Sequence, residues 1–309
     1  MGTHSQLLPV VRPFLAFTFT FTFTFSLALV LGLAVAPGVH AAPNATVEAV
    51  QMPAWVERGS GRLPLSPGME LQNGDQVRTG ANSRLLLKTA DGSAVKLGQN
   101  ASLRLSDMAQ QKDGVFAASL AVGEGAFRFT TDIFAKLRGK RLVNVSVATV
   151  TIGVRGTDLW GKSDLNKQIV CLIEGRIEVT PPGEQAFNLD QPLQFYIRDN
   201  GKSLPIAAVD AKLLTQWATE TEVAAGAGAA RRGGKWKVVL GTADTQADAL
   251  KLYDDVRNAG YAAEIQPVLA GEKRSYNVRL ANLPSRDEAQ ALAARLKGSM
   301  GVNEPRVSM

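Results

Sequence analysis

Short segments of alternating apolar and polar residues, separated by turn dipeptides, run through residues 45–200. In residues 83–88 and 101–106, apolar side chains recur at every second position. This is the pattern of half-buried strands, because successive side chains of a strand point to opposite faces of its sheet. Asn-Gly at 73–74 and Asp-Gly at 91–92 separate such segments, and both dipeptides accept the positive φ of a tight turn. Strands this short and this evenly spaced predict an all-β domain, built as a sandwich, a barrel or a solenoid.

Residues 151–160, TIGVRGTDLW, interrupt this alternation with two glycines. A phosphate-binding loop would need a helix directly after the glycines and a Gly-Lys-Ser/Thr ending, and the segment has neither. We interpret residues 149–154 as a buried strand, in which Gly153 and Gly156 permit a bulge or a sharp bend.

Arg155 stands between these two glycines, and its burial decides its role. If the side chain is partly buried, its charge requires a carboxylate partner, for which Asp158 and Glu174 are the candidates. The alternative is that the bend presents Arg155 to a partner protein.

The N-terminal segment has the features of a secretory signal. Arg12 is the only charged side chain before an apolar run at residues 13–35, and residues 39–41 offer the small or apolar side chains of a cleavage site. We predict cleavage after Ala41, export, and a location in the periplasm or cell envelope. Because the apolar run is also long enough to span a bilayer, an uncleaved membrane anchor is the alternative, and only then would the protein contact a membrane.

Residue usage excludes most kinds of catalytic site. Both histidines, His4 and His40, fall within the predicted signal, so the exported chain has no imidazole for proton transfer or zinc binding. Cys171 is the only cysteine and cannot form an internal disulfide. We predict a protein that is not an enzyme and has no cofactor or metal. The enzymatic alternative is a glycan hydrolase that pairs Glu174 with Glu178 on one strand face.

Residues 201–234 differ in pattern from the β-rich region before them. Apolar residues recur at helical spacing from Val209 to Trp217, which predicts a helix over residues 206–223. This helix either packs on the β-rich domain or forms a stalk. Residues 224–234 are rich in alanine and glycine and carry two arginines, which predicts a flexible, solvated linker.

Residues 235–309 alternate between strand and helix patterns, in the βαββαβ order of small ferredoxin-like α+β domains. Asp244 is the expected cap of the first helix, and Gly260 and Gly298 are the expected stops of the two helices. The predicted elements are a strand from Trp236, a helix at 244–259, strands at 261–268 and 275–281, a helix at 284–297 and a strand at 302–307.

The β-rich region, residues 45–200, resembles the FecR family. The resemblance rests on TIGVRGTD at residues 151–158 and EGRIEV at residues 174–179, with supporting strand-turn units at 71–80 and 91–97. FecR proteins are periplasmic or cell-surface parts of signalling systems, and some of them regulate sigma factors. The resemblance implies a non-enzymatic sensor or interaction module with an envelope protein as partner. The residues that carry its motif are Gly153, Arg155, Gly156, Thr157 and Asp158.

Residues 234–309 resemble the SPOR family, through WKVVLG at 236–241, ALKLYDDVRNAGY at 249–261 and YNVRL at 276–280. SPOR domains bind peptidoglycan and prefer glycan strands stripped of stem peptides, so the resemblance implies that this half of the chain holds the cell wall. The family usually has Gln where this chain has Val239, a side chain that cannot form a hydrogen bond to a sugar.

Five positions match the contact region of the SPOR family and are the expected peptidoglycan-binding residues: Trp236, Lys237, Thr242, Tyr276 and Arg279. The two aromatic side chains would stack on sugar rings, whereas the charged and hydroxyl groups would form hydrogen bonds. The alternative for Trp236 is a place in the core, because it alternates with Val238 and Leu240.

These patterns together predict an exported envelope scaffold or sensor that binds peptidoglycan glycan strands and presents its β-rich domain to a partner protein. The alternative is a protein interaction module that has lost its glycan affinity. The net charge of +6, from 34 basic and 28 acidic residues, is not gathered into a Lys/Arg-rich block, so no nucleic acid partner is expected.

Overall fold

The computed structural model of this protein describes residues 1–2, 44–111, 114–131 and 141–309. The predicted signal and its cleavage site at Ala41 lie outside the described residues, apart from residues 1–2. Residues 42–309 form one compact unit. The strands of its first part are β1 (Ala45–Gln51), β2 (Ala54–Arg58), β3 (Gly61–Pro64), β4 (Glu70–Leu71), β5 (Gln76–Thr79), β6 (Arg84–Thr89), β7 (Ala94–Leu97), β8 (Ser102–Gln110), β9 (Phe116–Thr130), β10 (Arg141–Val147), β11 (Val150–Val154), β12 (Asp158–Ser163), β13 (Lys167–Glu174), β14 (Ile177–Thr180), β15 (Phe187–Leu189), β16 (Gln194–Asp199), β17 (Lys202–Ser203) and β18 (Ala207–Ala208).

These strands form two sheets that pack as a sandwich. Sheet A runs in the order β1-β6-β7-β9-β12-β13-β16, and sheet B runs β3-β2-β5-β8-β9-β10-β11-β14-β15. The pairs are antiparallel except for β9 and β10, which run parallel. The inward-facing side chains of both sheets form one hydrophobic cluster. The predicted all-β domain is confirmed, and of the three architectures left open by the sequence it has the sandwich.

Strand β9 belongs to both sheets. Its residues up to Val122 pair with β8 and β10 in sheet B, Glu124 still pairs with Ser102 of β8, and those from Gly125 onward pair with β12 in sheet A. Leu120 and Val122 point into the core before the change of sheet, whereas Phe127 and Phe129 do so after it. The inward face has therefore shifted by one residue, as a β-bulge requires, and Gly125 adopts a φ of +84° at this point.

Helix α1 (Ala211–Thr221) packs on the outer face of sheet A and is not a stalk. Trp217 of the helix stacks on Trp160 of β12, with ring centroids 4.6 Å apart and planes inclined by 2°. Cys171 is buried in the same small cluster. The helix begins later than its apolar pattern predicts, because residues 207–208 extend the sheet as β18 and Asp210 then caps the first turn by accepting from the Leu213 N–H.

The C-terminal part has the predicted βαββαβ order, and its α+β fold is confirmed. Its four strands form an antiparallel sheet in the order β21-β22-β20-β23, with both helices contacting this sheet. Thr245, rather than the expected Asp244, caps α2 by accepting from the Asp248 N–H, and Gly260 follows the helix as predicted, with a φ of +91°. The elements are β19 (Ala230–Arg231), β20 (Trp236–Ala243), α2 (Gln246–Asn258), β21 (Ala263–Ala270), β22 (Lys273–Leu283), α3 (Arg286–Leu296) and β23 (Arg306–Ser308).

The expectation that residues 224–234 form a flexible, solvated linker is wrong for residues 226–231. Glu288 of α3 is buried, and its carboxylate accepts hydrogen bonds from the backbone N–H groups of Gly226, Gly228 and Ala229 at 2.6–2.9 Å. Gly228 has a φ of +73°, and a Cβ there would lie 2.9 Å from the Leu292 backbone nitrogen. Composition could not reveal this order, because the acceptor lies about sixty residues further along the chain.

The two halves of the chain also pack directly on each other. Strand β19 extends sheet A by pairing with β1. The Ala54 N–H donates to the Gly260 carbonyl at 3.1 Å, and Gly260 lies so close to Trp55 that a Cβ would come within 2.7 Å of the ring. One hydrophobic cluster includes side chains from both halves. The βαββαβ domain is therefore docked on the sandwich in a defined orientation.

We expect the thiol of Cys171 to be unreactive until the sandwich unfolds. Burial raises the pKa of Cys171 to about 12, with a smaller contribution from the charge of Asp158, and only the thiolate is a good nucleophile. At about pH 9, where an unfolded thiol is largely ionised, a maleimide should label the native protein very slowly and the urea-unfolded protein at once. Leu165→Cys in a Cys171→Ala background provides the exposed control, because Leu165 is 98% exposed. Fast labelling of native Cys171 would contradict the burial.

Glu288→Ala should uncouple the two domains. The substitution leaves three backbone N–H groups without their acceptor, two of them on buried residues, and should lower the free energy of unfolding by about 3 kcal/mol. Calorimetry should show the C-terminal domain unfolding separately and earlier than in the parent chain. Glu272→Ala is the matched control, because Glu272 is an exposed glutamate in the turn between β21 and β22. Equal losses in the free energy of unfolding for the two substitutions would contradict the assignment of Glu288 as the anchor.

Candidate functional site

The FecR-like motif forms a corner at which the chain passes from sheet B to sheet A. Strand β11 lies in sheet B, β12 lies in sheet A, and Gly156 between them has a φ of +66°. Gly175 makes the return crossing from β13 to β14 and lies against the first one, since a Cβ on it would come within 2.6 Å of the Gly156 carbonyl oxygen. The predicted bend is therefore present at Gly156. It is absent at Gly153, which pairs regularly with Asn144 and Glu178 inside β11.

Hydrogen bonds from both neighbouring strands hold this corner. Thr157 is buried; its N–H donates to Thr131 Oγ1 at 3.1 Å, and its hydroxyl donates to the Arg176 carbonyl at 2.8 Å. The carboxylate of Asp158 accepts two hydrogen bonds from the guanidinium of Arg128, at 2.9 and 2.7 Å. These bonds raise the pKa of Arg128, against the opposing effect of burial. Thr157 and Asp158 are thus structural residues of the corner.

Arg155 is exposed, and the prediction of a partly buried side chain paired with Asp158 or Glu174 is wrong. Asp158 is already paired with Arg128, an arginine 30 positions earlier that only the pairing of β9 with β12 brings close. Sequence reasoning chose Asp158 as a neighbour along the chain, whereas its true partner is a neighbour across the sheet. The exposed Arg155 agrees with the alternative, in which the bend presents this side chain outward.

Glu174 and Glu178 do not share a strand face. Glu174 ends β13 in sheet A, whereas Glu178 lies in β14 of sheet B, and the turn at Gly175 separates them. Both side chains are exposed. The arrangement that motivated a hydrolase is therefore absent, because the alternation of Glu174 and Glu178 requires one continuous strand.

The C-terminal sheet has a polar face opposite its two helices, which we call the open face. Val238, Leu240, Val278 and Leu280 are buried, so the residues between them point the other way. Pairing across the strands brings Val239 beside Arg279 and Arg306, and Thr242 beside Asn277. Of the five expected glycan-binding residues, Lys237, Thr242 and Arg279 lie on this face.

A network of hydrogen bonds orders the open face. Arg279 donates to the Glu264 carboxylate from two nitrogens, each at 3.3 Å, and to the Gln266 side-chain carbonyl. Arg306 donates to Thr242 Oγ1 at 2.8 Å, and Thr242 in turn donates to Asn277 Oδ1 at 2.7 Å. Sequence reasoning missed Glu264, Gln266, Asn277 and Arg306. Their signal is the alternation of polar residues with buried ones in β21 and β22, but the strand register that joins them was unknown.

The two aromatic residues expected to stack on sugars lie elsewhere. Tyr276 precedes Asn277 and so points to the helix side of the sheet, where it packs against the core and lines a groove of about 560 Å³ with Ile265 and Leu269. Trp236 is half-buried and packs against the same core, in agreement with the alternative for this residue. The open face therefore offers hydrogen-bonding and charged groups rather than the two expected aromatic rings.

Within the described ranges, no group of three or more His, Cys, Asp or Glu side chains is arranged to hold a metal ion. In the same part of the chain, no helix combines the length and the apolar character needed to cross a bilayer. The chain thus consists of a β-sandwich with a constrained corner and an α+β domain with an ordered polar sheet face.

Comparison with protein families identifies both modules. The FecR protein family matches residues 75–204, and the SPOR domain family matches residues 232–305. The chain therefore carries a FecR domain followed by a SPOR domain. The SPOR domain indicates peptidoglycan binding and the FecR domain indicates envelope signalling, and both are non-catalytic modules typical of envelope proteins.

Comparison with curated proteins found no match. Two solved structures of a candidate anti-sigma factor from Parabacteroides distasonis ATCC 8503 are 17% and 18% identical to this chain, each with a TM-score of 0.38. The alignments cover 72% and 71% of this chain and 89% of each of those chains. Similarity at this level carries no argument about the present protein.

Asp158→Asn should destabilise the fold, whereas Arg155→Ala should leave its stability almost unchanged. Asp158→Asn removes the charge from a largely buried pair and should lower the free energy of unfolding by about 2 kcal/mol. Arg155→Ala removes an exposed side chain and should change the stability by less than about 0.5 kcal/mol. Urea unfolding of both variants measures the difference, and a larger loss for Arg155→Ala would contradict the assigned roles.

Proposed function

We propose that this protein is an exported envelope scaffold that binds peptidoglycan glycan strands through the open face of its SPOR domain and holds its FecR domain toward a partner protein. The observation that carries the proposal is the ordered polar face on the SPOR sheet. The SPOR domain contacts the sandwich through β19 and through Gly260 in the turn after α2. These contacts leave Thr242, Gln266 and Arg306 of the open face exposed.

The open face suits a carbohydrate through hydrogen bonds. Arg279, Arg306 and Lys237 supply donors, and Glu264 and Gln266 supply acceptors for sugar hydroxyl and acetamido groups. Arg279 already bonds to Glu264 and Gln266, and Arg306 bonds to Thr242, so the positions of these side chains are set before a ligand arrives and less conformational entropy is lost on binding.

Val239 does not remove hydrogen bonding from this face. It lies beside Arg279 and Arg306, and the exposed amide of Gln266 is on the same face, in the neighbourhood of Arg279, to which it is bonded. The valine provides an apolar patch for the carbon face of a sugar ring, while Gln266 provides the amide that the family usually places in β20.

The FecR domain has an exposed corner as its candidate contact surface. Arg155 projects from this corner, whereas Thr157 and Asp158 hold the backbone beneath it. We propose that a partner protein with an acidic surface contacts Arg155, and that the docked arrangement of the two domains sets the direction in which the corner faces when the SPOR domain is bound to the wall. The proposal includes export of the chain, directed by the predicted signal at residues 1–41.

Sedimentation with purified sacculi tests the function. The chain from residue 42 should pellet with peptidoglycan at low salt, and less so as salt screens the arginines. Arg279→Gln should weaken binding about tenfold, as expected for loss of a charge-assisted hydrogen bond. Lys251→Gln is the matched control, because Lys251 is an exposed cation on α2, on the other side of the sheet.

Two results would count against the proposal. Complete retention of the parent chain in the supernatant would reject peptidoglycan binding and favour the second candidate function, a protein interaction module without glycan affinity, for which the apolar Val239 is the supporting observation. Equal binding by Arg279→Gln and Lys251→Gln would reject the open face as the contact surface.

A further inference from the structure

A cavity of about 480 Å³ lies at the end of the FecR sandwich opposite to the corner at Gly156, and we call it the end cavity. Strands β11 and β12 meet at the corner, as do β13 and β14, so their other ends lie at the far end of the sandwich. Four turns come together there, and each contributes to the lining: Thr149 after β10, Asn166 after β12, Pro182 after β14 and Asn200 after β16. The volume is within the range of small-molecule sites, and turns at one end of a β-sandwich are common places for binding.

Gln168 and Arg198 form the floor of the end cavity. They are direct partners across β13 and β16, so their side chains lie next to each other on one face of sheet A. That face is the inner one, because Val170 and Tyr196, two positions away on the same strands, are buried in the main hydrophobic cluster. The floor is therefore the last polar pair of the inner face, where the sandwich opens to solvent.

The amide of Gln168 is buried and has no hydrogen-bond partner. Gln168 is only 8% exposed, and its side chain forms no hydrogen bond with any other residue that the structure describes. Neither polar atom of the amide is sealed from the accessible surface, so the amide opens into the end cavity that Gln168 lines. Buried amides are usually satisfied by protein, water or ligand, and an amide needs an acceptor for its NH₂ group and a donor for its carbonyl.

The charges around the end cavity balance. Arg198 is the only charged residue among those that line it, and Glu184 neutralises this arginine at 2.7 Å. Ser203 donates to the same carboxylate at 2.7 Å and lies 2.7 Å from the Tyr196 hydroxyl, so a network holds the ion pair in place. The other charged residues in and next to the four turns are two acids and two bases: Asp164, Asp199, Lys167 and Lys202. An ion entering the cavity would lose hydration without gaining a free counter-charge.

We propose that the end cavity binds a small neutral saccharide, with a hydroxyl or acetamido group at the Gln168 amide and further hydroxyl groups at Asn166 and Asn200 on the rim. Amide side chains suit a sugar because each offers a donor and an acceptor without a charge. Leu165 and Pro182, which also line the cavity, provide apolar contact for the carbon face of a sugar ring. This site belongs to the FecR domain and does not depend on glycan binding by the open face.

Binding to the intact chain from residue 42 tests this proposal. Glucose, maltose, N-acetylglucosamine or diacetylchitobiose at millimolar concentrations should give saturable heats in calorimetric titration and raise the unfolding temperature. Preference for the two acetamido sugars identifies a cell-wall type of saccharide as the source, whereas preference for glucose or maltose identifies a free sugar. Glucuronate and glucosamine, which each add one charge to a neutral sugar of the set, should bind at least about tenfold more weakly.

Variants assign the binding to this cavity. Gln168→Met keeps the size of the side chain and should weaken the best saccharide about tenfold, through loss of the amide hydrogen bonds. It should not lower the free energy of unfolding of the empty protein, because the amide has no partner to lose. Gln216→Met is the matched control, because Gln216 is an exposed glutamine on α1 outside the cavity.

Titration of the Arg279→Gln chain separates this site from the open face, since Arg279 lies in the other domain. Saccharide binding that persists in Arg279→Gln and is weakened by Gln168→Met supports the end cavity, whether or not the chain pellets with sacculi. The proposal is overturned if no neutral saccharide binds, if the charged analogues bind as well as the neutral sugars, or if Gln168→Met binds as tightly as Gln216→Met.

Discussion

The shared strand β9 is the constraint on which the FecR domain depends, because it pairs in both sheets of the sandwich. The inward side of β9 changes by one residue between the two sheets, and Gly125 at this point has a positive φ that a β-bulge accommodates. The crossings at Gly156 and Gly175 repeat the change of sheet further along the chain. Gly156 of the FecR motif therefore lies at one of the points where the chain passes between the two sheets.

The second constraint is the anchoring of the segment between the domains. A carboxylate that accepts three backbone N–H groups converts an alanine- and glycine-rich stretch into an ordered connection. The glycines of this segment have two roles. They let the backbone approach α3 closely, and they leave backbone N–H groups accessible to the Glu288 carboxylate. With β19 added to sheet A, the SPOR domain has a defined orientation on the sandwich, and its open face points away from the contact.

The sequence predicted best where the signal was local. The βαββαβ order and the stop at Gly260 follow from periodicity and capping rules that involve residues within a few positions of each other. It failed where two distant segments meet. Arg128 and Asp158 are partners across a ladder, Glu288 binds a loop sixty-odd positions earlier, and Tyr276 turned to the helix side because its strand parity, not its chemistry, decides its face.

By itself the sequence determined the two kinds of domain, their order and the absence of imidazole after residue 40, because composition, period and short motifs are properties of the chain alone. Only the tertiary structure decided that Arg155 is exposed and that residues 226–231 are held by both domains. The physical reason is that strand register and long-range hydrogen bonds join residues far apart in the sequence, and a shift of one position in register would move every one of these side chains to the opposite face.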